Sequence, residues 1–393
     1  MEATRKLHRV LGTCTVLAFA ILFFLVATQH TAAHTPVTSK YDYNKDVFPR
    51  LRDHCAACHV PGGAGPMSLV TYKAAMPWAQ SIRDELTAGR MPPWPIDPTS
   101  PPIRGGFPIS SRDIDVLVVW ASGGTPEGDF NVKLPDVAFH PQWKLGPPDL
   151  KIQMEAEHTV APNAMEDVSE FSLPVNLTDA KWIKAADLMP GNASIVRDAI
   201  ISLENGPVLA LWQPGGDTVP APSGAAFRLA PGAKLHLQIH YKKHFDQEQN
   251  AISDRSTVGL YFTDPPPSGR ELQSFAIDAP KAADAPNASS PVTATFGGAL
   301  PNAARIVALR PMLDRAYTSV EVDAITPSGA TVPLLRLHGP RPQWFERYWL
   351  QDPVELAAGA KIAVRTTPLA DYSDEPPVTR RFPLRLVLDF VPL

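Results

Sequence analysis

The sequence predicts a multidomain chain of α followed by all-β class, a small helical domain and then two antiparallel β-sandwiches. Three observations predict it. Helix-period apolar segments with capping signals fall before residue 130. After residue 135, short alternating apolar and polar stretches are separated by proline- and glycine-rich turns. The 43 prolines among 393 residues also favour short strands and loops over long helices. This length has room for two or three domains. A net charge of only -4 leaves no electrostatic footprint for nucleic acid.

Residues 1–35 read as a targeting segment. Arg5, Lys6 and Arg9 give a basic start, Val10 to Ala27 is nearly all apolar, and a polar, small-residue stretch follows. Export with cleavage is the expectation. A single-span membrane anchor is the alternative, because the apolar run is about as long as a minimal span. Cys14 lies inside the run as a small apolar residue, so the mature chain keeps Cys55 and Cys58. An exported protein without a spare thiol is spared wrong disulfides.

The helical domain is expected over 39–130. Asn44 to Asp53 forms a short helix with Pro49 near its first turn, feeding the stretch Cys55-Ala-Ala-Cys58-His59. C-x-x-C-H is the signature of covalent haem attachment. Cys55 and Cys58 can each add to one vinyl group, and His59 then lies under the iron as proximal ligand. A thioredoxin-type pair wants a βαβ setting that the flanks lack, and structural zinc needs further ligands. Pro61 to Pro66 is a loop by composition. A second helix spans Pro77 to Ala88, with Trp78, Ile82 and Leu86 on one face and Gly89 as its stop. Ser110-Ser-Arg-Asp113 resembles a capping box and opens a third, lined by Ile114, Leu117, Val118 and Ala121 and ended by Gly123-Gly124.

Three short helices around one haem c describe a small class I-like cytochrome c domain. Its iron needs a sixth ligand. Met91, in Arg90-Met-Pro-Pro-Trp94, is held by stiff flanking prolines and is the first candidate; Met67 is the rival. A methionine ligand raises the reduction potential and suits one-electron transfer. His54 reads as a solvated helix residue.

Beyond residue 135, strands are expected at Leu150–Met154, Ala226–Leu229, Lys234–Tyr241, Val320–Ile325, Lys361–Val364 and Leu384–Phe390. The 264–269 break and the low-complexity stretch from Ala279 to Ser290 divide them into sandwiches over 135–275 and 276–393. Trp143, Trp182, Trp212, Trp344 and Trp349 are expected to be packing residues.

The haem motif, then Gly65-Pro-Met-Ser-Leu-Val-Thr-Tyr-Lys73, Met91-Pro-Pro-Trp94 and Gly123-Gly-Thr-Pro-Glu-Gly-Asp129, are followed in order by Gly146-Pro-Pro-Asp149, Met189-Pro-Gly-Asn192, Leu237-Gln-Ile-His-Tyr241 and Thr326-Pro-Ser-Gly329. This series resembles a bacterial group in which a cytochrome c is fused to a copper type II, ascorbate-dependent monooxygenase-like module. The resemblance spans nearly the whole mature chain and implies two jelly-roll-like sandwiches, each holding one copper. It also implies that Arg197 and Asp198 stand where a His-His pair would be, with only His240 retained at that site. At the second site Met312 and Asp314 replace an H-x-H pair, and Arg380-Arg-Phe-Pro-Leu-Arg-Leu386 carries no methionine. Copper favours imidazole and soft sulfur at defined geometry, so copper is not expected to be bound; His240 is a copper remnant at most.

Nothing else rescues a metal site. On a strand, His236 and His240 share a face but stand roughly 13 Å apart at about 3.3 Å per residue. His140, His158 and His338 are isolated, and His244 lies in a loop. No nucleophile elbow, phosphate loop or H-E-x-x-H pair is present in the sequence. The expectation is therefore an exported, periplasmic monohaem electron carrier serving an unidentified redox partner protein, with the β module as scaffold or docking unit. The alternative is a copper monooxygenase fed by its own cytochrome.

Overall fold

The computed structural model describes residues 38–139, 141–280, 294–369 and 382–393. The targeting segment with Cys14, His140, most of the low-complexity stretch and Arg380-Arg381 lie outside the described residues. Among those described, no helix is long and apolar enough to cross a membrane.

Helices come first. A π-helical turn, Tyr43–Val47, is capped by Asp42 and runs into the Phe48–His54 helix, with Pro49 in the first turn, where its missing N–H costs nothing. A 3-10 turn, Met76–Trp78, leads into the Ala79–Thr87 helix, and Gly89 follows at φ +63°, a left-handed conformation that glycine adopts without strain. Ser110 caps the Ser111–Ser122 helix by accepting from the Asp113 N–H. A four-residue helix, Tyr72–Ala75, has no counterpart in the sequence expectation; one turn is too short to show a period. Tyr43, Leu51, Leu117 and Trp120 are fully buried in the shared core.

Among the described residues the remainder is antiparallel β-sheet, two sandwich-like pairs of sheets and a two-stranded ladder of His158–Val160 with Ile252–Asp254. One pair sets Glu166–Pro174, Lys234–Lys242, Val196–Leu203 and Val208–Trp212 against a sheet of Leu150–Gln153, Thr257–Thr263, Lys181–Met189 and Phe227–Leu229. The other sets a five-stranded sheet containing Ala304–Met312 and Arg385–Pro392 against a four-stranded sheet containing Tyr317–Ile325 and Lys361–Pro368. The Lys234–Lys242 strand shows why the alternation is legible. Leu235, Leu237, Ile239 and Tyr241 are fully buried, while His236, Gln238, His240 and Lys242 lie on the opposite face.

Two junctions depart from the expected divisions. Residues 94–104 leave the helices: Ile103–Arg104 adds an edge strand to the second sandwich by pairing with Trp349 and Leu350, and Trp94 and Ile96 pack on that core. Trp349, Ala308 and Val391 pack in turn against the first sandwich core.

Arg347 ties the sandwiches together. It donates to the Leu209 and Val208 carbonyls at 2.6 and 2.5 Å and to Asp389 at 2.9 Å, with Phe227 and Trp349 rings 5.5 and 5.2 Å away. Arg310 shares Asp389, which is fully buried. Arg347→Met leaves those carbonyls without their donor and weakens compensation of a buried carboxylate. A loss of roughly 3–5 kcal/mol is expected, measured by chemical denaturation; a loss below about 1 kcal/mol, the range of exposed pairs, excludes this role.

Candidate functional site

The Phe48–His54 helix ends at Cys55, and the chain curls so that the Cys58 and His59 N–H groups both return to the Cys55 carbonyl, at 3.1 and 2.8 Å. This tight turn puts Cys55, Cys58 and His59 together. Both cysteines are free thiols, and burial pushes them up to about 12 and about 11 respectively. A redox-active pair needs a lowered thiol pKa; these thiols are held protonated.

His59 is oriented through Nδ1, which lies 3.1 Å from the Met67 carbonyl oxygen. A carbonyl only accepts, so Nδ1 carries the proton. Burial holds the imidazole below its ordinary pKa, and in the neutral ring Nε2 keeps its lone pair. A metal-binding histidine is positioned in this way by an outer hydrogen bond. Gly65 permits the arrangement: a Cβ there would stand 2.7 Å from His59 Nδ1.

The motif is covered by the first sandwich. The Cys58 thiol donates to the Pro214 carbonyl at 3.2 Å. Gly215, at φ +74°, approaches so closely that a Cβ would lie 2.7 Å from the Ala57 Cβ and 3.3 Å from Cys58 Sγ. His244 Nε2 is 3.3 Å from the Ala64 carbonyl. Arg197 acts electrostatically on both Cys58 and His59, and its own pKa is lowered to about 10 by burial. Sequence reasoning assigned none of these contacts to the motif, because each depends on how two distant segments pack.

Met91 follows the Ala79–Thr87 helix. Its N–H points to the Glu85 carbonyl at 3.4 Å, and neighbouring Arg90 pairs with the Glu85 side chain at 2.8 Å. Both Met91 and Met67 are partly buried, and Met67 packs on the helical core. His54 lies 3.7 Å from Asp113, which also pairs with Arg50 at 2.7 Å.

His240 sits on the outer face of its sheet. A β-bulge between Val196 and Asp198 brings Asp198 opposite His240, and His240 Nδ1 donates to the Asp198 carboxylate at 2.8 Å. His240 Nε2 is 3.5 Å from Glu166, which is itself paired with Lys242. His236 has Glu170 at 3.3 Å and His158 has Asp167 at 2.6 Å, so each imidazole has its own carboxylate. Met312 is buried at a strand end, and Asp314 accepts from the Tyr317 hydroxyl at 2.7 Å.

No family model matches the chain, and no curated protein does. Among solved structures it is similar to the major capsid protein P2 of bacteriophage PM2, with 8% identity, 60% of this chain and 97% of that one covered, and a TM-score of 0.25. PBCV-1 VP54, fitted into a reconstruction of the virophage Sputnik, gives 7%, 60% and 93%, and 0.23. A Paenibacillus xanthan lyase gives 13%, 69% and 28%, and 0.18. The architecture is defined by the sheets themselves.

Proposed function

We propose that this chain is an exported monohaem c-type cytochrome, a one-electron carrier whose β module covers the attachment motif. On this reading residues 39–130 form a class I-like cytochrome c domain, and the sandwiches are jelly-roll-like relatives of the copper monooxygenase module with its metal ligands lost. The observation that carries the reading is the hydrogen bond from His59 Nδ1 to the Met67 carbonyl, which presents Nε2 as a ready ligand beside two protonated thiols. When bound, haem c supplies a Fe(III)/Fe(II) couple. Cys55 and Cys58 would hold the porphyrin through their sulfurs, and His59 and Met91 would be the residues that bind its iron. The Pro214–Gly215 turn packs directly on Cys58. Thioether formation at Cys58 would give up the thiol's hydrogen bond to the Pro214 carbonyl.

The reading places the protein outside the cytoplasm, held to the inner membrane if the leader is retained, and leaves delivery of electrons to a separate redox protein. Metal analysis of the purified exported protein, combined with mediator titration, tests it. Iron near one per chain, negligible copper and a reversible one-electron wave are expected. Stoichiometric copper after reconstitution would instead support the monooxygenase, and a haem that cannot be cycled would end the electron-carrier reading.

A further inference from the structure

The part of the first sandwich that meets the haem motif carries a cation placed there by an irregularity in its sheet. The Val196–Leu203 strand pairs Val196 with Tyr241 and Asp198 with His240, so Arg197 is the extra residue of a β-bulge with no partner across the ladder. A bulge takes its residue out of the regular alternation and re-aims the side chain. The Arg197 guanidinium is partly buried, and its Nη1 donates to the Ser194 carbonyl at 3.0 Å.

A chain of hydrogen bonds joins that corner of the sandwich to the motif. The Ser194 hydroxyl accepts from Gln247 Nε2 at 3.1 Å, Gln247 Oε1 accepts from the His244 N–H at 2.9 Å, and His244 Nε2 donates to the Ala64 carbonyl at 3.3 Å. Ala64 belongs to the loop that follows His59. On the Cys58 side, the Pro214 carbonyl and Gly215 close the same contact. The segment that bears Arg197 is therefore fastened against the Cys55–His59 turn and its following loop.

Arg197 stands out among the charges around the motif. It acts on both Cys58 and His59, whereas Lys144 acts on Cys58. His244 is held below its ordinary pKa, chiefly by burial, and so carries little charge at neutral pH. The two carboxylates that act on Arg197 are engaged with other groups: Glu166 pairs with Lys242, and Asp198 accepts from His240 Nδ1 at 2.8 Å. A guanidinium keeps its charge across the neutral range, and a partly buried charge is screened by salt much less than an exposed one.

We propose, resting on the haem c reading above, that Arg197 is the residue through which the first sandwich raises the haem reduction potential. A fixed cation favours the less positive member of a one-electron couple, so Arg197 favours Fe(II) over Fe(III). The sandwich then does more than cover the motif: it supplies a charge that the helical domain does not place there itself. The bulge explains how, since regular pairing would leave this position within the alternation of the strand.

Mediator titration of the full-length haem protein and of Arg197→Gln, Arg197→Glu and Arg197→Lys, at one pH and ionic strength, tests this. Arg197→Gln is expected to lower the Fe(II)/Fe(III) ratio at fixed ambient potential by about tenfold, a drop of about 59 mV for one electron. Arg197→Glu should fall further, and Arg197→Lys should stay close to the wild type, because the order follows charge. Circular dichroism establishes that each variant is folded; Arg197→Met, uncharged and still able to pack, carries the same expectation if Arg197→Gln does not fold. Folded Gln, Met and Glu variants with the wild-type potential overturn the proposal. So does a Lys variant that falls as far as the Gln variant, which would assign the effect to the Ser194 hydrogen bond and not to charge. A wild-type chain without haem overturns the cytochrome reading and this role with it, whereas bound haem with unmoved potentials overturns this role alone.

Discussion

A chain carrying Cys55→Ala and Cys58→Ala together, produced with haem-attachment machinery, is expected to release all of its pigment on acid extraction, whereas the wild-type chain releases none. Attachment adds each S–H across a vinyl double bond: sulfur bonds one vinyl carbon, hydrogen goes to the other, and nothing is oxidised. That chemistry needs two thiols kept apart as thiols, which is how Cys55 and Cys58 are found. Their raised pKa values restrict stray disulfide exchange, which proceeds through thiolate. Each single variant retains one thioether and so keeps its pigment bound, with a shifted absorption band. Pigment still covalently attached in the double variant sinks the assignment. So does a wild-type chain whose pigment is freely extracted.

How much of this was legible depended on sequence distance. The capping of the Ser111–Ser122 helix by Ser110, the stop at Gly89 and the alternation from Leu235 to Tyr241 are set by residues within a few positions of one another. The haem motif is legible for the same reason, since its three residues form one turn. By contrast, Pro214, Arg197 and His244 lie far along the chain from Cys58, and neither period nor spacing announces their arrival there. The edge strand Ile103–Arg104 is two residues long, too short to alternate visibly. The Gln213 amide donates to the Phe345 carbonyl 132 residues away, a pairing that only tertiary packing makes.

His240, a copper remnant at most on the sequence, is held by its neighbours on the sheet. The bulge at Arg197 puts Asp198 directly opposite His240. The residue that replaces an imidazole in the resemblance has thus become that imidazole's hydrogen-bond partner. His240 Nδ1 donates to that carboxylate at 2.8 Å, while Nε2, 3.5 Å from Glu166, is buried without a hydrogen-bond partner.

If the chain holds haem as proposed, the choice between Met91 and Met67 as sixth ligand begins at His59. The Met67 carbonyl oxygen lies against Nδ1, the nitrogen that points away from any metal bound at Nε2. Met67 thus serves His59 through its main chain, a role that does not call on its thioether. Met91 follows the Ala79–Thr87 helix, with its N–H directed at the Glu85 carbonyl. Its loop is pinned on one side by the Arg90–Glu85 pair and on the other by the turn in which the Trp94 N–H meets the Pro92 carbonyl at 2.8 Å. Holding a weak thioether ligand in place requires that kind of support, because an ordering cost paid during folding is not paid again on ligation. Met91→Ala is accordingly expected to abolish the sulfur-to-iron charge-transfer band. It should also lower the reduction potential by on the order of 0.1–0.2 V, a fraction of the roughly 0.8 V that axial ligation spans. Met67→Ala should leave both unchanged, since its backbone carbonyl, not its side chain, holds His59. Spectroelectrochemistry of the two variants decides the matter: the reverse pattern transfers the ligand to Met67, and two unaltered spectra remove methionine at either position from the iron.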